Sequence, residues 1–293
     1  DSLRRNINDE WKTIYEYLGK NKKNPLDDDA YLKNHWVMYF KYSRKTANDY
    51  ITFLLEEHFT AKNILKNKLS ATDIQEYITS IQDSVKVWYC IHNPSSSDYD
   101  SEIKKWLVKL NNLGFVAFKP LVMAILHRVN EVNSNDIVEV LKTMEKYIFL
   151  IFRISRRPAN TGDSEFYRFA KDFYYNDLSI EEIKGKITEW IDRYRDEKNF
   201  FDYIKDLFEI QKNGFYGWNG LKYVLYEYDY SLQEGSREEH RKINWKEFNK
   251  EINSIEHIYP QTSEQECWNK YFGKYSKDEK SKLRNSLGNL LPL

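Results

Sequence analysis

Apolar side chains recur at intervals of three and four along most of the chain, the spacing that gathers them on one face of a helix. Leu3, Ile7, Trp11, Ile14, Tyr15 and Leu18 form the first such stripe, which Pro25 and the Asp27-Asp28-Asp29 run interrupt. A second stripe follows through Tyr31, Leu32, Trp36, Tyr39 and Phe40, and a third helix is predicted over 48–59. Ser70 with Asp73 reads as a capping-type start for a long helix carrying Ile74, Tyr77, Ile78, Ile81, Val85, Trp88 and Ile91. Pro94 and the serines after it end that helix.

The same period continues through Ile103, Trp106, Leu107, Leu110 and Leu113, closed by Gly114 where a helix C-cap is expected. Another helix starts near Pro120, and the stretch from Ile137 to Ile154 is apolar enough to be expected as the most buried helix. Phe166, Phe169, Ala170 and Phe173 begin a further helix, and Ser179 with Glu182 fits a capping box ahead of Ile183, Ile187, Trp190, Ile191 and Tyr194. A helix over 200–211 comes next. Gly214, Gly217 and Gly220 alternate with aromatic residues. They read as a turn before an aromatic helix from Leu221 to Tyr230, because a phosphate loop needs a preceding strand and a Lys-Ser or Lys-Thr ending that are missing. The polar stretch Gln233–Lys242 resembles a linker, and after it the segments are short and bounded by turn residues. The expected fold class is therefore mainly α: a multi-helix domain over 1–240, then a small domain over 241–293.

Composition narrows the function classes. With 41% hydrophobic and 16% aromatic residues the chain can bury a substantial core, so a disordered tail is excluded. The 45 basic and 45 acidic side chains cancel, so no whole-molecule field attracts nucleic acid and any such contact must come from a local patch. Cys90 and Cys267 stand in no metal-ligand spacing and form no disulfide framework, which fits a reducing cytoplasm. No apolar run of roughly 20 residues calls for a membrane. The chain opens on Asp1 and stops on Leu290-Leu291-Pro292-Leu293, so it reads as a piece of a longer protein.

Polar chemistry inside a short apolar frame occurs at Ile255-Glu256-His257-Ile258-Tyr259-Pro260-Gln261. The segment reads as a short strand entering a turn fixed by Pro260. An acid beside an imidazole suits a site where one group holds a divalent cation and the other takes a proton from water, although a lone strand histidine is more often a hydrogen-bonded structural residue. Asn289, on the apolar Leu287–Leu291 stretch, has an amide able to hold the His257 loop, or it is a simple turn residue. His35, His58, His92, His127 and His240 show no ligand spacing with one another and read as structural or surface residues. Arg153, Arg156 and Arg157, before Pro158, suit either DNA phosphates or the dipole of a helix C-terminus. Lys274, Lys277, Lys280, Lys282 and Arg284 form a basic group near the histidine motif, a candidate phosphate-facing side.

Taken together, Glu256-His257-Ile258-Tyr259-Pro260-Gln261, then Trp268, then Leu287-Gly288-Asn289-Leu290 resemble the HNH nuclease domain at the C-terminus of GmrSD-type, modification-dependent (type IV) restriction endonucleases. The earlier helices are also similar, through Leu3-Arg4-Arg5, Asn8-Asp9, Trp11 and the Arg156-Arg157 corner, to the segment joining that family's two activity domains. The resemblance implies a ββα-metal finger with His257 as general base, Glu256 as ligand of a Mg²⁺ or Mn²⁺ ion, and Asn289 orienting the His257 loop. It implies double-stranded DNA modified at cytosine as substrate and a role in phage defence; a further copy of the chain is a candidate partner beside it. The family's last finger helix and its N-terminal nucleotide-using domain have no counterpart in the sequence. An incomplete metal site, little cleavage by this chain alone and NTP use only through that missing domain are accordingly expected. Other readings of the same residues are a non-catalytic helical interaction or dimerisation module and an RNA nuclease.

Overall fold

The computed structural model describes residues 2–40, 49–234, 245–250 and 255–293. The chain is mainly α, and among the described residues the sheet is a single two-stranded ribbon. Two compact units form, Asp1–Tyr147 with Ala159–Trp190, and Ile148–Pro158 with Ile191–Leu293.

The first unit contains α1 (Ser2–Gly19), α2 (Asp28–Tyr39), α3 (Tyr50–Thr52) running into a π-helical turn Phe53–His58, α4 (Ala61–Leu65), α5 (Ala71–His92), α6 (Ser101–Leu113), α7 (Lys119–His127), α8 (Ser134–Tyr147), α9 (Asp163–Tyr174) and most of α10 (Ile180–Tyr194). Side chains mark where these helices start. Asp27 accepts from the Ala30 amide, and Ser70 and Asp73 bond each other's backbone in a capping box. Ser179 and Glu182 do the same ahead of α10. Gly114, at φ 84°, ends α6 in a left-handed conformation that a side chain would strain.

The most enclosed helix is α7, buried at every position from Pro120 to Leu126, with α2, α5 and α9 packed on it. The run Ile137–Ile154, expected to be one helix and the most buried, is helical throughout, but after Tyr147 its hydrogen bonding changes from α8 to a π-helical segment, Ile148–Ile154, that belongs to the second unit. The residues of α8 explain its place. Glu139 sits on the helix with Lys142 and Lys184 paired to it, so one side of α8 faces water, whereas α7 is apolar all round and must be covered on all sides. His35 is fully buried on α2, with its Nε2 2.9 Å from Ser80 Oγ and its ring stacked on Tyr39. Burial lowers its pKa to about 3, so it is a neutral core residue. His240 lies outside the described residues.

The second unit comprises the Ile148–Ile154 segment, α11 (Glu197–Glu209), a 3₁₀ turn at Gly214–Gly217, α12 (Leu221–Glu234), α13 (Trp245–Lys250), β1 (Ile255–His257), α14 (Glu266–Phe272), α15 (Lys277–Arg284), a 3₁₀ turn at Leu287–Asn289 and β2 (Leu290–Pro292). The strands pair antiparallel, with Ile255 opposite Pro292, Glu256 opposite Leu291 and His257 opposite Leu290. A ribbon this short is not stable in water by itself. It persists because Ile255 and Leu290 enter one core with Ile204, Leu207, Trp218, Leu221, Leu225 and Phe248. Each such apolar side chain contributes roughly 1.5–3 kcal/mol on burial. The domain boundary expected near residue 240 lies outside the described residues. The compact unit holding the strands takes in α11 and α12, because those helices supply the apolar surface the ribbon needs.

Candidate active site

β1 carries the Glu256-His257 pair into a turn whose backbone is held from the other end of the unit. Ile258 N–H donates to the Asn289 carbonyl at 3.0 Å, continuing the β1–β2 pairing by one more bond. The Asn289 side chain then grips the next residue from both sides. Its Oδ1 accepts from Tyr259 N–H at 2.6 Å, and its Nδ2 donates to the Tyr259 carbonyl at 3.1 Å and the Arg284 carbonyl at 2.9 Å. Asn289 lies on the 3₁₀ turn before β2, not on the strand where the sequence pattern placed it, and this lets its amide fold back over the turn. With 8% of its surface exposed, it is a buried polar residue whose amide is fully used.

Tyr259 is the apolar anchor of the same turn. Its ring stacks on Phe272 at 4.3 Å and meets Trp268 edge-on at 5.8 Å, and its hydroxyl accepts from Ser263 Oγ at 2.8 Å. Arg284 closes the loop after Pro260. Its Nε donates to the Pro260 carbonyl at 3.2 Å and its Nη2 to Ser263 Oγ at 2.7 Å, and its guanidinium lies 5.2 Å from the Tyr259 ring centre. The charge of Arg284 is thus committed inward, to the turn that presents the histidine.

Successive strand residues point to opposite faces, yet Glu256 and His257 both line one polar cleft of about 320 Å³ with Tyr216, Ile255, Pro260, Gln261 and Thr262. Glu256 is exposed and His257 half-buried. The His257 Nε2 is enclosed and meets no hydrogen-bond partner. Its ring instead contacts that of Tyr216, with centres 5.2 Å apart and planes inclined at 39°. Tyr216 comes from the Gly214–Gly217 turn. The stretch is a turn ahead of α12, as the sequence implies, and the available signal for a wall of the cleft was an aromatic residue set between glycines. Among the described residues, no group of three or more His, Cys, Asp or Glu side chains converges as a metal site.

The other cations singled out in the sequence are distributed differently. Arg156, at φ 53°, lies 3.7 Å over the Tyr203 ring, and Arg157 donates to the Tyr194 carbonyl at 3.2 Å beside Asp196, so both have partners within the second unit and neither lines the cleft. Lys274 is exposed over Tyr275, and Lys282 pairs with Asp278 at 3.1 Å. That hydrogen bond from Lys282 holds the Asp278 carboxyl below its ordinary range, and the Ser276 amide and hydroxyl do the same for Glu279 at the start of α15.

Residues 191–293 match the family model described as GmrSD restriction endonucleases, C-terminal domain. No curated protein and no solved structure matches the chain. The matched span begins where the second compact unit's main segment begins, at Ile191, and contains the ribbon, the Asn289 clamp and the cleft. The segment 191–293 is therefore similar to the C-terminal domains of GmrSD restriction endonucleases.

Proposed function

We propose that the second unit is a metal-dependent, HNH-type DNA endonuclease unit, hydrolysing phosphodiester bonds of double-stranded DNA modified at cytosine. The observation that carries this reading is the cleft, in which one carboxylate and one imidazole stand together on a short ribbon whose turn is locked by a buried asparagine. The residues present suit a hard divalent cation such as Mg²⁺ or Mn²⁺, which takes oxygen donors and keeps several waters. Glu256 offers an exposed carboxylate, and Gln261 and Thr262 line the same cleft. Bound there, the ion would stabilise the negative charge that builds on the phosphoryl oxygens during attack.

The chain's own part in the reaction centres on His257. Because Nε2 is enclosed, Nδ1 is the nitrogen that accepts a proton from water in the cleft. The hydroxide attacks phosphorus, the bond to the leaving sugar oxygen breaks, and that oxygen takes its proton from solvent. Asn289 does not touch the substrate in this reading. It fixes the Tyr259 backbone, and through it the direction in which β1 delivers His257. Backbone contact with DNA falls to exposed Lys274 and to Lys282 on α15, while Arg284 holds the turn. Arg156 and Arg157 enter a DNA contact only if it displaces their partners Tyr203, Tyr194 and Asp196.

Nicking of supercoiled plasmid, with and without modified cytosine, in Mg²⁺ or Mn²⁺ and in chelator, tests the proposal. His257→Ala is expected to lower any cleavage by at least about 100-fold, the upper part of the range for a general base. Cleavage that survives His257→Ala, or that acts on RNA and spares DNA, would overturn it.

A further inference from the structure

No protein group among the described residues hydrogen-bonds the enclosed Nε2 of the imidazole proposed as the base. Histidines that work at a site are ordinarily aimed by a carbonyl or carboxylate on the second ring nitrogen, which sets both tautomer and direction. In His257 that nitrogen, Nε2, is enclosed and unpartnered, and the group that the ring touches is Tyr216. We infer that Tyr216 is a positioning residue for His257, its aromatic face fixing the imidazole in place of the missing hydrogen bond. The inference rests on the reading of His257 as the base.

A positioning residue must itself be held, and the Gly214–Gly217 turn is pinned at several points. Phe215 N–H donates to the Asn285 carbonyl at 3.0 Å, and Asn285 Nδ2 returns a bond to the Lys212 carbonyl at 3.2 Å. Gly214 sits at φ 48°, and a Cβ there would lie 2.5 Å from a Phe208 ring carbon and 2.8 Å from Asn285 Cβ, so the turn is seated directly on α11 and on the residue after α15. The Phe215 ring adds edge contacts to Phe208 at 5.8 Å and Trp218 at 6.3 Å.

The two walls of the cleft therefore meet at one place, the end of α15. Arg284 ties the Pro260 and Ser263 side, and Asn285, the next residue, ties the Tyr216 side. His257 lies between them with Tyr216 against its ring. A base displaced by about 1 Å can cost on the order of 100-fold in rate, so a wall fixed in this way is where catalytic geometry would be set.

The test uses the full chain with Tyr216→Phe, Tyr216→Leu and Tyr216→Met, the last filling the space without a ring. Two readouts are needed: steady-state plasmid cleavage, and the NMR shifts of the His257 ring protons, assigned by their loss in His257→Ala. Tyr216→Phe is expected to keep kcat within about threefold, whereas the Leu and Met variants lose about 10- to 100-fold in kcat with KM nearly unchanged. The ring protons of His257 should show the shift of a neighbouring aromatic ring in the wild type and in Tyr216→Phe, and lose it in the other two. Full kcat in Tyr216→Leu or Tyr216→Met, or identical His257 shifts with and without the ring, overturns the inference. Equal losses in Phe and Leu overturn it in favour of a role for the hydroxyl. If the wild type cleaves nothing in any metal, as an incomplete metal site would have it, the NMR comparison by itself decides whether Tyr216 holds His257. If Tyr216→Leu does not fold, Tyr216→Met and Tyr216→Phe carry both readouts.

Discussion

Replacing Asn289 with alanine removes the amide that holds the turn after β1, and the structure sets the scale of the loss. Three backbone groups lose their partner: the Tyr259 N–H, the Tyr259 carbonyl and the Arg284 carbonyl. A buried backbone group left unsatisfied costs about 1–3 kcal/mol. Tyr259 is 4% exposed, so its two groups bear most of that cost, while the Arg284 carbonyl is more open and water can recover part of it. The expected destabilisation is about 2–5 kcal/mol, a large fraction of the roughly 5–15 kcal/mol that holds a domain together. Urea unfolding followed by tryptophan fluorescence measures it, since Trp218 and Trp268 both lie in the second unit and Trp268 packs on Tyr259. Hydrogen exchange at the Tyr259 amide locates it. Asn289→Asp should do no better than alanine, because a carboxylate keeps the acceptor for Tyr259 N–H but turns a charge toward two carbonyls that need a donor. A loss below about 0.5 kcal/mol, with Tyr259 protection unchanged, would refute the clamp.

Further outcomes follow from other groups. Gly214→Ala should destabilise the second unit by about 2–4 kcal/mol, the sum of a left-handed backbone and an overpacked contact with Phe208, read as a fall in the urea midpoint; an unchanged midpoint would contradict the seating of the turn. His35 is held neutral, its pKa pushed from 6.5 to about 3 by burial and by the nearby His127, so its contribution is fully present above pH 6.5 and is lost as pH falls toward 3 while the unfolded chain takes up the proton. His92, lowered to about 4 by burial and Lys119, acts in the same direction; thermal melts from pH 7 to 4 should decline, and less steeply in His35→Gln. Lys274→Glu with Lys282→Glu should weaken DNA binding and flatten its dependence on salt, measured by anisotropy between low and moderate salt, and an unchanged slope would move the DNA contact elsewhere.

Much of the fold was legible because its causes are local. The stripes of Trp36, Tyr77, Trp88, Leu107 and Phe169, the capping boxes at Ser70 and Ser179, and the stop at Gly114 act within a turn or two of helix, and they determine helices whatever those helices later pack against. The Ile255–His257 segment was recognisable as a strand for the same reason, through its apolar frame and Pro260. Which apolar helix becomes central was not legible. Apolar content favoured Ile137–Ile154, but the structure surrounds α7, a shorter helix apolar on every side, and leaves α8 one face to water. The site divides along the same line. The residue types at Glu256, His257 and Asn289 are in the sequence, whereas the meeting of Tyr216 with His257, the fold-back of Asn289 over Tyr259 and the inward commitment of Arg284 join positions 41, 30 and 24 residues apart. Such contacts depend on how α11, α12 and α15 close around the ribbon, and no periodicity records that closure. The sequence by itself determined the helices and the chemistry offered at β1; the tertiary structure decided what holds that chemistry still.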